Sequence, residues 1–91
     1  MISICVLLEF EDETVCVTRE APPLPAGVMW HPGMWVNDSV DSVEVKHVSV
    51  ELDGGVSIWC EETYAAKSSP EVVAQWTNAG WSIAEKRRSN E

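Results

Sequence analysis

At 91 residues the chain has room for a single hydrophobic core, and 45% apolar with 23% charged residues is the composition of a folded domain rather than a disordered segment. Six Lys and Arg against fifteen Asp and Glu leave a net charge of −9, and three of the cations (Lys86, Arg87, Arg88) sit together near the C-terminus. Residues 1–85 then carry about −11, which repels phosphate backbones and anionic lipid heads and argues against nucleic acid or membrane as partners.

The first ten residues, MISICVLLEF, alternate Ile2, Ile4, Val6, Leu8 and Phe10 at period two, the mark of a strand with one buried face. The run lacks a basic leader and a small-residue cleavage site, and it is shorter than the ~20 residues a spanning helix needs. Val15 and Val17 of a second strand share the apolar side if Phe10 pairs with Val15 around Glu11–Thr14. In that register Leu7 lies opposite Thr18, Cys16 opposite Glu9 and Cys5 opposite Glu20, which keeps the two thiols apart. Cys5, Cys16 and Cys60 are an odd set with no C-x-x-C spacing, so neither a disulfide framework nor a metal site is expected, and a reducing cytoplasm fits best.

Pro22, Pro23 and Pro25 make residues 21–27 a stiff surface crossing. Next, Trp30 and Trp35 flank His31-Pro32-Gly33-Met34, whose Pro and Gly suit a type II turn; the flanks either pair, placing Trp30 against Trp35, or form an irregular loop. The stretch SVEVKHVSVELDGGVSIWCEE reads as a hairpin, with Asp53-Gly54-Gly55 closing Leu52 onto Val56 and Gly55 in the left-handed position. Inward residues switch from odd (Val43, Val45) to even (Val48, Val50), which calls for a bulge near Lys46 and His47.

Ser69-Pro70-Glu71 opens a helix with a cap, a proline at the first position and an acid in the first turn. Val72, Val73, Trp76 and Ala79 form its apolar stripe, and Gly80 ends it so that Trp76 touches Trp81. A last strand, WSIAE, turns Trp81 and Ile83 inward. The expected class is α+β: a mainly antiparallel sheet of about five strands, order β-β-(β)-β-β-α-β, with one helix in the C-terminal half packed on one face. Residues 1–85 make the single domain and 86–91 a charged tail.

The hairpin register puts His47 opposite Glu61, a pair that could act as acid and base but is more simply a surface pair. His31 and His47 have no metal-ligand spacing, and no phosphate-binding loop or nucleophile motif is present, so no enzyme, cofactor or metal is expected. The second face of the sheet is more informative, because Trp59 lies on it together with Leu7 and Cys16. A helix of about ten residues covers roughly 15 Å by 10 Å, too little for both faces. Shelter for Trp59 must come from the segment Pro22–Val36 with Trp30 and Trp35, from a second subunit, or from a ligand.

The sequence therefore points to a small acidic, non-enzymatic interaction module that self-associates through a sheet face or edge, most simply as a two-fold homodimer. A second reading is an acidic inhibitor or nucleic-acid mimic that occupies a basic host protein. A third is a small-ligand binder whose Trp30, His31, Trp35, His47, Trp59 and Glu61 converge on one pocket.

Overall fold

A computed structural model describes residues 2–88. The elements are β1 (Ile2–Glu9), β2 (Glu13–Glu20), β3 (Trp35–Asn37), β4 (Ser42–Val50), β5 (Val56–Thr63), α1 (Pro70–Asn78) and β6 (Ser82–Arg88). They form one six-stranded sheet in the order β3-β4-β5-β1-β2-β6, with a single helix. The α+β class is as expected, but there are six strands and the sheet is mixed: β1 runs parallel to β5 at its centre, and every other neighbouring pair is antiparallel.

The core forms on one face of this sheet. Ile4, Val6 and Leu8 of β1, Val15 and Val17 of β2, Val43 and Val45 of β4, and Ile58 and Cys60 of β5 all bury their side chains there. Val73 and Trp76 of α1 close over them, with Trp81 just beyond the helix. The Ser69 hydroxyl accepts from the Glu71 N–H at 3.2 Å and starts the helix. Gly80, at φ 101°, ends it: Gly80 N–H donates to the Thr77 carbonyl and Trp81 N–H to the Trp76 carbonyl, each at 3.2 Å. This is the Schellman ending that the Trp76/Trp81 spacing implies, and the two indoles meet edge to face at 5.4 Å.

Both hairpin registers differ from the expected ones by two residues. In the first, Leu8 pairs with Val15 and Val6 with Val17, so Leu7 lies opposite Cys16 and Cys5 opposite Thr18. Phe10 has left the ladder: its N–H donates to the Glu13 carbonyl at 2.8 Å, and its ring stacks on Tyr64 at 4.9 Å. In the second, Val50 rather than Leu52 pairs with Val56, and Gly54 rather than Gly55 takes the positive φ, 96°. The Gly54 N–H donates to the Glu51 carbonyl and the Asp53 carboxylate accepts from the Gly55 N–H, which widens the loop and leaves Leu52 fully exposed at its tip. A two-residue slip preserves which face each side chain takes, so hydrophobic pattern alone does not distinguish these registers.

The bulge falls where the parity change puts it, between Val45 and His47. Pro32 and Gly33 do form a turn, with Gly33 at φ 93° and the Met34 N–H donating to the His31 carbonyl at 3.3 Å. Its flanks do not pair with each other, because Trp35–Asn37 pairs with Ser42–Glu44 instead. Strand β6 runs on to Arg88, with Lys86, Arg87 and Arg88 opposite Val15, Thr14 and Glu13; of the expected tail, residues 89–91 lie outside the described residues. Ile83 takes the core side, opposite Val17, but stays 42% exposed at the sheet edge, where it lines a shallow pocket with Val73, Ala74 and Thr77 of α1.

Candidate functional site

The segment between β2 and β4 does not shelter Trp59. Trp30, Met34, Val36 and Val40 pack against the same core as α1, so helix and loop both lie on one side of the sheet. Among the described residues nothing covers the other side. On it the register builds adjacent rows, His47–Trp59–Cys5–Thr18 and Glu61–Leu7–Cys16–Glu85, running from β4 or β5 across to β2 or β6. Trp59 is half-buried, its ring stacked on His47 at 5.8 Å and 22°. Cys5 Sγ lies 3.7 Å from Thr18 Oγ1, and a shallow pocket of about 160 Å³ opens between Leu7, Thr14, Cys16, Glu85 and Arg87.

Of the residues singled out from the sequence, Leu7, Cys16, His47, Trp59 and Glu61 share this face. Trp35 joins it at the β3 edge, 61% exposed and opposite Glu44. Trp30 belongs to the core side. His31 is exposed in its turn, where Nδ1 donates to the Pro32 carbonyl at 2.8 Å. The six residues of the pocket hypothesis thus do not converge on one cavity. The His47–Glu61 pair also dissolves, since the two-residue shift sets His47 against Trp59 and Glu61 against Leu7.

Burial pushes the Cys16 thiol up to about 11, with Cys5 and Glu85 adding to the shift, and burial does the same to Cys60 on the core face. Neither thiol is poised as a nucleophile. Among the described residues no three metal-ligating groups come together, and no helix is long and apolar enough to cross a membrane.

Two groups of residues were missed from the sequence. Glu85 and Arg87 complete the open face because β6 continues past the point at which a tail was expected; Glu85, Lys86, Arg87 and Arg88 are all charged, so no period-two pattern marks the strand there. Arg19, Asp38 and Trp81 line a groove of about 700 Å³ with Pro22 and Pro23. Arg19 lies 3.6 Å from Asp38 and 5.6 Å from the centre of the Trp81 ring, and Trp81 Nε1 donates to Asp38 at 3.2 Å. These groups satisfy one another and tie β2, the β3–β4 turn and the helix end together. Comparison of the chain with protein-family models, with curated proteins and with solved structures returns no match in any of the three.

Proposed function

We propose that this chain is a small non-enzymatic interaction module and that the open face of its sheet is the working surface. The observation that carries this is the one-sided cover: helix and long loop both shield the core face, and a half-buried tryptophan is left at the middle of the other. Six strands spaced ~4.8 Å, most about eight residues long at ~3.3 Å each, give a face of about 700 Å². A stable protein–protein contact uses about 800 Å² on each partner, centred on a few large anchors. A second copy is one such partner and would make a two-fold dimer.

The edges are poorer candidates. Strand β3 has only three residues, and β6 carries Lys86, Arg87 and Arg88, both of which are devices that discourage strand addition.

The reading is tested by asking whether the open face serves the fold. Trp59→Ser and Leu7→Ser are each expected to lower the unfolding free energy in urea by less than about 1.5 kcal/mol. Losses of about 3 kcal/mol or more, the scale of core truncations, would show that the face is packing and end the proposal.

A further inference from the structure

We infer that the open face docks a protein surface whose lysine or arginine side chains surround an apolar centre; this rests on the reading of that face as a docking surface. The register places a carboxylate from every strand but β3 on it: Glu9, Glu20, Glu44, Glu61 and Glu85. The cations there are Lys46 and Arg87, and each is taken by a neighbour, Lys46 by Glu44 at 3.5 Å and Arg87 by Glu85 at 3.2 Å. Glu9, Glu20 and Glu61 have no cation within ion-pair distance among the described residues.

Those three unpaired carboxylates belong to the same strands as Leu7, Cys5, Cys16, Thr18 and Trp59, the least polar part of the face. An apolar centre with an acidic surround fits a partner of the inverse pattern. A second copy brings the same excess against itself, in a chain already at −9, so like charges would meet across the contact. Nucleic acid and anionic lipid have the wrong sign altogether. A cationic protein surface gives each free carboxylate a counter-charge and is steered toward the face before contact. The stacking of Trp59 on His47 also holds the central indole in place, so little side-chain freedom is left to lose on docking.

The experiment is an NMR titration of the whole chain with a short peptide of alternating lysine and leucine, and with oligolysine as the charge-only probe. Shift changes are expected to centre on Trp59, Cys5, Leu7 and Thr18 for the mixed peptide, with binding that weakens as salt rises. Glu9→Lys combined with Glu61→Lys should weaken it on the order of tenfold, and Glu11→Lys with Glu71→Lys, away from the face, by less than about twofold. Two results would overturn the inference: shifts spread over carboxylates all round the molecule and alike for both probes, or a dimer formed through the same face without peptide and tightening with salt. The second would leave the docking surface in place with a different occupant. Core-like stability losses in Trp59→Ser and Leu7→Ser would instead remove the docking surface itself.

Discussion

Trp76 and Trp59 lie on opposite sides of one sheet, and their surroundings differ in kind. Trp76 has no exposed surface, donates from Nε1 to the Tyr64 hydroxyl at 3.2 Å and meets Trp81 edge to face. Trp59 is half-buried and has one stacked neighbour, His47. The first indole is enclosed by helix, strands and loop, so its contribution is to folding. The second is held but not enclosed, and its remaining apolar surface is free for another molecule. Trp76→Ala should therefore cost about 3–5 kcal/mol in urea or thermal unfolding, at least twice the cost of Trp59→Ser. Equal costs would erase the distinction between the two faces.

The helix end offers a smaller effect on the enclosed side. An added Cβ at Gly80 would meet nothing closer than Arg19 Nη1 at 4.0 Å, so Gly80→Ala is strained only by its φ of 101°. A loss of about 1–2 kcal/mol is expected in the same unfolding assay, and it should leave peptide binding at the open face unchanged. Ser69→Ala, at the other end of the helix, should lower stability by about 1 kcal/mol through the lost bond to the Glu71 N–H. A change in binding with either variant would mean that the two faces are coupled through the sheet.

How much of this was legible in the residues divides along the same line. The core face was readable, because Ile4, Val6, Leu8, Val15 and Val17 state their side by alternation, and Ser69, Pro70 and Gly80 mark the helix by backbone chemistry. The bulge at Lys46 followed from a parity change. Pairing partners were less readable, since a shift of two residues leaves each side chain on its own face and only the turns around Phe10 and Gly54 decide the register. The parallel contact of β1 with β5 joins residues more than fifty positions apart, and no local signal carries it. For the site, Trp59, Leu7 and Cys16 were placed on the correct face, but the His47–Glu61 pair was lost with the register. Trp30 had no parity to read, because a loop carries none, and it went to the core side.

The smallest effects concern two carboxylates with opposite shifts near the covered side. Asp12 accepts from the Ser68 N–H at 2.6 Å and the Ser68 hydroxyl at 2.8 Å, and these bonds hold its pKa below the ordinary 3.8. A depressed carboxylate stabilises the fold above its unfolded value, and the contribution disappears as pH falls through the lower folded value. Glu62 is shifted the other way, raised from 4.5 by burial and then by Asp41. Its ionised form opposes folding at neutral pH, and that opposition fades as pH falls through the raised folded value toward 4.5. Asp12→Asn should therefore be less stable than the parent near neutrality, with the gap closing below about pH 4, whereas Glu62→Gln should be the more stable protein near neutrality and converge with the parent on mild acidification. Urea titrations across that range separate the two, because a common cause such as overall net charge would move both differences in the same direction.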